Sequence, residues 1–450
     1  MCTLVSKYNI PGPRYTSYPP VPYWDQNSFS LKLWQNTLLK SFKKSKKVGL
    51  SLYIHLPFCE KMCTFCGCNK RITKNHTVEM PYIKSVIKEF ENYVTLFGEK
   101  PTIKQIHLGG GTPTFFSPKH LQFLVEEILN SCKLASNPDF SFEAHPLNTT
   151  QAHLETLSTL GFKKVCFGVQ DYNLKVQQAI NRVQPFQSVL KATNMAREAG
   201  YTSVGHDIIY GLPFQTEKDV AQTISKTIKL KPDRIAFYSY AHVPWIKGNG
   251  QRGFKTEDLP SPEQKFIQQS IGRKALLDNG YKEVGIDHFA LPTDTLYKAK
   301  QNQTLHRNFM GYCDYKTQIL IGLGVSAISD SWYGFAQNVK NVEEYQYLVN
   351  QGIVPTFKGH ILNKKELKVR QQILNLMCHL HTALDLETRA ELNLRHEAIQ
   401  KMENDNLIKL TEESLQITEK GKDFIRNACM LLDYKLQEKK LDKPTFSMTI

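Results

Sequence analysis

Short apolar runs alternate with amphipathic helical patterns between residues 50 and 240. Such runs are typical of buried strands, and apolar positions that recur with a 3.6-residue period indicate helices. Alternation at this spacing favours parallel strands joined by helical crossovers, so the predicted fold class is α/β. Six units in succession predict an open, partial (β/α)6 barrel, in which the chemistry lies at the carboxyl ends of the strands. The six predicted strands span residues 50–55, 104–109, 140–144, 163–170, 202–210 and 234–240.

The chain before the repeat has a different pattern. Residues 1–25 are rich in Pro and Tyr and lack a helical period, which predicts an extended arm over 12–20. A short amphipathic helix is predicted over 30–44. We therefore expect an N-terminal arm and helix in residues 1–48.

The pattern changes again after the repeat. Residues 241–360 are less regular and are predicted to extend the barrel domain, which would cover 49–360. The remaining residues, 361–450, form a smaller, mainly helical domain in this prediction, similar to a winged-helix unit. It would hold two helices (364–380 and 386–404), two short strands (407–410 and 415–417) and a last helix from residue 419.

Composition and charge indicate what kind of protein this is and which partners it attracts. Of 450 residues, 41% are apolar and 22% charged, which is ordinary for a folded globular protein. No run approaches the 18 or so apolar residues that a membrane span needs, and no stretch near Met1 resembles a signal peptide, so a cytoplasmic protein is expected. The 57 basic and 42 acidic residues give a net charge of +15, which attracts nucleic acid, acidic membranes or polycarboxylates.

Four of the ten cysteines fall within ten residues, directly after the first predicted strand: Cys59, Cys63, Cys66 and Cys68. Thiolates are soft ligands that suit zinc or an iron–sulfur cluster. Structural zinc sites use four ligands, in many motifs as two separated pairs, whereas this loop is compact. Three thiolates on a four-iron cluster would leave one iron open to a small molecule. A zinc knuckle or incidental cysteines are the alternatives.

The Cys-x3-Cys-x2-Cys spacing after the first strand of a βα barrel resembles that of the radical S-adenosylmethionine enzymes. Within that superfamily, the chain is similar to the family of oxygen-independent coproporphyrinogen III oxidases. The similarity extends over nearly the whole chain and is carried by residues 13–19, 53–59, 66–68, 109–114, 168–171, 181–182, 207–213, 240–242, 287–290, 306–309 and 324–329.

The resemblance implies a [4Fe–4S] cluster held by Cys59, Cys63 and Cys66, with S-adenosylmethionine on the fourth iron, and a second S-adenosylmethionine in the same site. It also implies two sets of cofactor contacts. The first or cluster side would use Tyr53, Gly110, Glu143 and Ile328, with Gly111 and Thr112 on the same glycine-rich strand end. The second would use Phe65, Gln170, Arg182, Asp207 and Ala241.

Each of these residues has a plainer interpretation. The glycines could form a tight turn, and the charged residues could form surface ion pairs. Cys68 could be a packed cysteine or line the site. Three positions depart from the family pattern, namely His145, where relatives usually carry an acid, Met310 and Cys313.

The activity implied by the resemblance is oxidative decarboxylation of coproporphyrinogen III to protoporphyrinogen IX in haem biosynthesis. A 5′-deoxyadenosyl radical would abstract a β-hydrogen from the propionates of rings A and B, so no general acid–base pair is expected. A low-potential electron donor, an unidentified electron acceptor and a monomeric enzyme are expected. Four propionates need cations, and the candidates for substrate contacts are Arg14, Tyr15, Cys68, Arg71, Arg252 and Arg307, with the arm as a lid.

Two other functions are open to this sequence. A paralogous radical S-adenosylmethionine protein, either a haem chaperone or an anaerobic haem-degrading methyltransferase, would share the cluster; the Tyr15–Tyr18 arm and Cys68 favour the oxidase. A cluster-bearing regulator could bind nucleic acid through the C-terminal unit. Its wing, residues 409–416, has two glutamates and one lysine, whereas a DNA-binding wing is basic, so no nucleic acid partner is expected.

Overall fold

The structure is a computed structural model and describes residues 2–246, 250–251, 253–438 and 444–450. Its α-helices are α1 (Cys2–Tyr8), α2 (Leu31–Ser45), α3 (Glu79–Phe97), α4 (Pro118–Asn130), α5 (Gln151–Thr159), α6 (Leu174–Ala179), α7 (Phe186–Glu198), α8 (Glu217–Lys229), α9 (Pro262–Asp278), α10 (Thr295–Gln301), α11 (Val342–Asn350), α12 (Lys364–His379), α13 (Leu386–Asn393), α14 (His396–Asn404), α15 (Ile425–Leu432) and α16 (Tyr434–Glu438).

Its strands are β1 (Leu50–Leu56), β2 (Phe58–Cys59), β3 (Arg71–Ile72), β4 (Thr102–Gly110), β5 (Lys133–Ala144), β6 (Phe162–Gln170), β7 (Ser203–Tyr210), β8 (Arg234–Ser239), β9 (Lys282–Val284), β10 (His288–Ala290), β11 (His306–Asn308), β12 (Gly311–Cys313), β13 (Leu320–Leu323), β14 (Ile328–Asp330), β15 (Gly334–Asn338), β16 (Thr356–Ile361), β17 (His381–Ala383), β18 (Ile408–Leu410) and β19 (Ser414–Ile417).

One large open sheet forms the body of the molecule, in the order β16–β15–β14–β13–β1–β4–β5–β6–β7–β8–β10–β9. The six strands of the predicted repeat, β1 and β4 to β8, are neighbours and run parallel, as predicted. Their buried side chains and those of the crossover helices share one apolar core. The α/β fold class and the partial barrel are therefore confirmed.

The region over 241–360 supplies strands that the sequence pattern did not reveal. β13 pairs in parallel with β1 and adds a seventh parallel strand, while β14 to β16 continue that edge antiparallel. β10 and β9 extend the opposite edge. Most of these strands have three to six residues, which is too short for a clear alternation of apolar and polar positions.

Ion pairs fill the barrel at the amino-terminal end of the strands. Lys164 on β6 lies 2.9 Å from an oxygen of Asp139 and 2.8 Å from one of Asp314, and Arg234 on β8 lies 2.7 Å from Asp294. The aspartates 294 and 314 belong to the extension. These charged residues line one end of the barrel cavity, and the cysteine loop follows the carboxyl end of β1 at the other.

The first 48 residues contribute to two cores. α2 packs on the barrel through Trp34, Leu38 and Phe42. α1, which was not predicted, packs with the C-terminal helices through residues that include Val5 and Tyr8. The domain boundaries at residues 48 and 360 remain predictions.

The C-terminal unit has α12 to α15 around a three-stranded antiparallel sheet in the order β17–β19–β18. The single helix predicted over 386–404 is wrong, because the helix is interrupted at Leu394 and Arg395. After this break, Ile399 and Met402 of α14 are buried in the same core as Leu392 of α13. Among the described residues, no helix has the length and apolar composition that crossing a membrane requires.

Candidate active site at the carboxyl ends of the strands

The cysteine loop follows β1 and is tied to the segment after α6. Thr64 donates two hydrogen bonds, from its amide to Ile180 O (3.0 Å) and from its hydroxyl to Ala179 O (2.8 Å). The Asn181 side-chain amide donates to Met62 O at 2.8 Å. These contacts fix the middle of the loop above the end of β6.

The thiols of this loop differ in their surroundings. Burial raises the pKa of Cys59 to about 11, and the Cys59 Sγ lies 3.3 Å from the Thr112 hydroxyl. The charges of Cys63 and Cys66 raise that pKa further, so the three thiols interact. A hydrogen bond with Cys68 is the main cause that lowers the pKa of Cys66 to about 6, aided by Lys70. Among the described residues, no three His, Cys, Asp or Glu side chains stand close enough to ligate a single metal ion.

The glycine-rich end of β4 lies against the cysteine-bearing segment. Gly110 has φ +111°, and a Cβ there would stand 2.6 Å from the His55 ring. A Cβ on Gly111 would stand 2.6 Å from the Pro57 carbonyl. Only glycine fits these two positions, because a side chain at either would meet the segment that leads from β1 to the cysteine loop.

Glu143 ends β5 beside this glycine-rich strand end. Its Oε2 accepts a hydrogen bond from Gly110 N at 3.2 Å, and its Oε1 lies 3.6 Å from His107 Nε2. Burial alone would raise the pKa of Glu143, but the interactions with His107 and Gly110 outweigh it and lower the pKa. The ring of Tyr53 stacks on His107 with centroids 6.0 Å apart. Glu143 is therefore an ionised acceptor at the site.

His107 and Gln251 were not identified from the sequence. His107 and Gly109 are two residues apart on β4, so both lie on the lumen face. This period of two was the signal in the sequence that could have identified His107. The Gln251 amide donates to Phe65 O at 2.9 Å and to Ala241 O at 3.0 Å. It therefore joins the cysteine loop to the segment after β8.

Gln170 and Arg182 meet at the end of β6. The Arg182 guanidinium donates to Gly168 O (2.7 Å) and lies 3.7 Å from Cys63 Sγ. Gln170 has φ +67°, and its buried side-chain oxygen has no hydrogen-bond partner in the described part of the chain. An unpaired buried acceptor costs free energy that a ligand donor would recover.

Asp207 on β7 faces the barrel lumen. Its Oδ1 accepts a hydrogen bond from the Cys166 thiol at 3.1 Å, and burial raises its pKa to about 6. It lines a cavity of about 170 Å³ together with His107, Glu143 and Cys166. The cavity thus joins the carboxylates of β5 and β7.

Most of the predicted cofactor residues lie at or near the carboxyl ends of the parallel strands. Ile328 lies on β14, and its backbone packs against Gly322, which is the register partner of Tyr53. Phe65 packs against the apolar cluster that contains Ile180 and Tyr240. Their roles remain predictions.

The predicted substrate residues are more dispersed. Arg14 donates to Ser239 O at the end of β8 (2.8 Å), and the buried Arg307 lies over the Tyr312 ring and 3.4 Å from Arg14 O. Tyr15 is buried and donates to Asp433 at 3.0 Å. Cys68 lies beside Cys66, and Arg252 lies outside the described residues.

Arg71 is 54% exposed and forms an ion pair with Glu343 at 3.0 Å. The positions that depart from the family pattern also lie near the site. Burial lowers the pKa of His145 to about 3, so its ring is neutral and accepts a hydrogen bond from Leu147 N. Met310 and Cys313 line the barrel cavity.

Comparisons with known proteins agree with this geometry. The profile of the Radical SAM superfamily matches residues 53–227. The chain is 35% identical to an oxygen-independent coproporphyrinogen III oxidase from Pseudomonas aeruginosa, over 99% of this chain and 98% of that protein. The Escherichia coli protein of the same name is also 35% identical, over 97% and 95% of the two chains. The solved structure of E. coli coproporphyrinogen III oxidase, described as a radical SAM enzyme, matches 96% of this chain and 98% of that one with a TM-score of 0.88 at 33% identity.

Proposed function

The chain belongs to the oxygen-independent coproporphyrinogen III oxidases of the radical SAM superfamily, and from this membership we propose its substrate and its mechanism. It is an oxygen-independent oxidoreductase of haem biosynthesis. It converts coproporphyrinogen III to protoporphyrinogen IX by oxidative decarboxylation of the propionates on rings A and B. The observation that supports the proposal most is the match to these relatives over almost the whole chain. In this chain the cysteine loop, Glu143 and Asp207 all lie towards the carboxyl ends of the parallel strands.

The cysteine loop would hold a [4Fe–4S] cluster through Cys59, Cys63 and Cys66. The residues present suit such a group, because three interacting thiols lie on one loop beside the cations Lys70 and Arg182. Cys68 is left as a hydrogen-bond partner of Cys66, and we assign it no iron.

The residues around the loop would hold S-adenosylmethionine. Bound together, the cluster and this cofactor would supply a 5′-deoxyadenosyl radical. The backbone from Gly110 to Thr112, with Glu143, would orient the charged amino-acid part of the cofactor, since an ionised carboxylate attracts an ammonium group. Tyr53 and Ile328 complete that side.

A second S-adenosylmethionine is proposed on the side of β6 to β8. The unpaired oxygen of Gln170 and the carboxylate of Asp207 offer acceptors there, and the Arg182 guanidinium suits a carboxylate. Phe65 and Ala241, joined through Gln251, would enclose the base.

The protein's part in the reaction is binding, alignment and exclusion of water. Abstraction of a carbon-bound hydrogen needs no side-chain base, so none of the carboxylates is given that role. Arg14 and Arg307 are the predicted cations that lie nearest one another at the barrel mouth. Arg71 and Tyr15 have partners elsewhere, in Glu343 and Asp433. Decarboxylation of the substrate radical would release carbon dioxide and one electron, and a separate acceptor would take that electron.

The electron donor, the oligomeric state and the location in the cell are also proposals. The enzyme would receive its electron from a low-potential donor, act as a monomer and work in the cytoplasm. The nine cysteines whose side chains the structure describes are all free thiols, which suits a reducing compartment. The alternative functions of a haem chaperone or a haem-degrading methyltransferase are not favoured, because the relatives reported above are oxidases.

The proposal is tested by anaerobic incubation of the reconstituted protein with reductant, S-adenosylmethionine and coproporphyrinogen III. Mass spectrometry of the tetrapyrrole should show the loss of two molecules of carbon dioxide. An unchanged tetrapyrrole, with 5′-deoxyadenosine formed, would refute the substrate assignment, and haem would be the next substrate to test.

A further inference from the structure

A thiol and a carboxylate meet in the barrel lumen, on the neighbouring strands β6 and β7. The Cys166 thiol donates a hydrogen bond to Asp207 Oδ1, with 3.1 Å between sulfur and oxygen. Both side chains line the cavity of about 170 Å³. The sequence alone gives Cys166 no role in the site, because a cysteine inside a strand is more often a small packed residue. Its position beside a proposed cofactor residue is a finding of the structure.

The register of the two strands holds the thiol beside Asp207. Cys166 is the register partner of Gly205 on β7. A Cβ on Gly205 would stand 3.0 Å from Cys166 Sγ, so a side chain at this position would press on the sulfur. Asp207 follows Gly205 by two residues and therefore lies on the same face of β7. The glycine thus leaves the space from which the thiol reaches the carboxylate.

The Asp207 carboxylate has no other partner in the part of the chain that the structure describes. The Cys166 thiol is its one hydrogen-bond donor there, and no Lys, Arg or His nitrogen lies within 4 Å of it. An ionised carboxylate has two acceptor oxygens. With Oδ1 bound to the thiol, Oδ2 is left for a ligand in the cavity that Asp207 lines.

Charged groups on several elements act on this carboxylate. Burial is the largest effect and raises the pKa of Asp207 to about 6, and the charge of Glu143 on β5 raises that pKa as well. The hydrogen bond from Cys166 lowers it, as do the charges of His288 on β10 and of Arg182. The thiol is therefore one of three groups that oppose burial and keep Asp207 ionised.

Two groups on β8 also face the pair. Burial, with the charges of Asp207 and Cys166, raises the pKa of Tyr238 well above its ordinary value, so its hydroxyl stays neutral. Burial and Asp207 likewise raise the pKa of the Cys166 thiol, against the opposing charge of Arg234. Cys166 therefore stays protonated near neutral pH and remains a donor to Asp207.

We infer that Cys166 is a positioning residue, which holds the Asp207 carboxylate so that its free oxygen meets the second S-adenosylmethionine. The inference rests on the proposed function and deepens it, since it names a residue that governs binding at one of the two cofactor sites. The thiol fixes the orientation of the carboxylate and stabilises its ionised form. A hydroxyl group of the ligand then meets an acceptor that is already in place.

The test is a calorimetric titration of S-adenosylmethionine into the anaerobic, cluster-loaded protein between pH 5 and 8. In the wild type, binding of the second equivalent should weaken as the pH falls through the pKa of Asp207. In Cys166→Ala the midpoint of this loss should move up by about 0.5 to 1 pH unit, because the carboxylate loses a donor that stabilises its charge. At pH 8 the affinity should fall about 3- to 10-fold, because the orientation of the carboxylate is lost.

Two further variants separate positioning from packing. Cys166→Ser keeps a donor and should restore most of the affinity and the wild-type midpoint. The control Cys429→Ala removes a thiol from the buried core of the C-terminal unit and should leave the midpoint unchanged. If Cys166 had only a packing role, Cys166→Ala would melt at a lower temperature with the midpoint of the wild type. An unchanged midpoint in Cys166→Ala would therefore overturn the inference.

Infrared spectroscopy of the S–H stretching bands gives a second measurement, which needs neither cofactor nor a folded Cys166→Ala protein. Asp207→Ala removes the acceptor, so one S–H band should move to higher frequency than in the wild type. Identical S–H bands in the two proteins would overturn the inference. Failure of the proposed function would look different, because the wild type itself would then bind no second S-adenosylmethionine. Wild-type binding of two equivalents, with no shift of an S–H band, would refute the role of Cys166 alone.

Discussion

At the scale of single residues, the four thiols of the cysteine loop have unequal surroundings. Cys66 has a pKa lowered to about 6, while the pKa of its neighbour Cys68 is raised well above its ordinary value by the same hydrogen bond. The thiolate is the form that binds a metal. The contrast supports Cys66 as a ligand and Cys68 as its hydrogen-bond donor.

Replacement of each thiol by alanine should separate ligands from neighbours. Cys59→Ala, Cys63→Ala and Cys66→Ala should lose the cluster, because these three thiolates are its proposed ligands. Cys68→Ala should keep it, as should the control Cys132→Ala, whose thiol donates to Leu129 O at the C-terminal end of α4. Iron and sulfide analysis with visible absorbance checks this. Loss of iron in Cys68→Ala would contradict the assignment.

Asp207 should make cofactor binding depend on pH. Its pKa is raised by burial to about 6, so it becomes protonated as the pH falls through that value. A protonated carboxyl is a poorer acceptor, and affinity for S-adenosylmethionine should fall by up to about tenfold for each pH unit below the pKa. Calorimetric titration between pH 5 and 8 measures this.

The matched variant for this prediction is Asp207→Asn. It should bind the cofactor more weakly at pH 8 and should show a flatter pH profile. An Asp207→Asn profile as steep as that of the wild type would mean that another group controls the pH dependence.

At the scale of elements, the end of β4 depends on backbone that only glycine adopts there. A Cβ on Gly110 would meet the His55 ring, whereas Gly98, with φ +71° at the end of α3, has open space around it. Gly98→Ala should therefore lower the free energy of unfolding by only about 1 kcal/mol, the cost of the left-handed backbone. Gly110→Ala should cost more and should also weaken cofactor binding.

Thermal unfolding and cofactor titration of both glycine variants check this prediction. Equal losses of stability, with cofactor affinity intact in Gly110→Ala, would show that the close approach of β4 to His55 is unimportant.

The elements that the sequence revealed are those with long, regular patterns. β1 and β4 to β8 have six to twelve residues and are buried by their own crossover helices, so local periodicity was sufficient. The seven-residue α1 had no such signal, because its stability comes from the distant core that Val5 and Tyr8 enter. The same limit applies to the site, since Gln251 gains its significance only through its hydrogen bond to Phe65 O, 186 positions away.

At the scale of the whole molecule, the N-terminal arm and the C-terminal unit share a core. Gly12 N donates to Ser447 O at 3.1 Å, and Tyr15 donates to Asp433 across 418 residues of chain. These contacts place Arg14 at the barrel mouth. The position of the arm is therefore coupled to the fold of the C-terminal unit.

Tyr15→Phe should test this coupling. It removes a buried hydrogen bond and should lower the free energy of unfolding by about 1–3 kcal/mol. It should also weaken binding of coproporphyrin III, because Arg14 is next to it. Chemical denaturation and porphyrin titration measure the two effects, with the exposed Tyr347→Phe as the control. A Tyr15→Phe protein as stable as the control would contradict the shared core.

The proposed reaction begins when this protein removes a hydrogen atom from a propionate of coproporphyrinogen III. The most direct measurement uses substrate deuterated at the β-carbons of the propionates and follows the mass of the 5′-deoxyadenosine formed anaerobically. Deuterium should appear in 5′-deoxyadenosine as vinyl groups appear in the tetrapyrrole. Unlabelled 5′-deoxyadenosine accompanying decarboxylated product would contradict it.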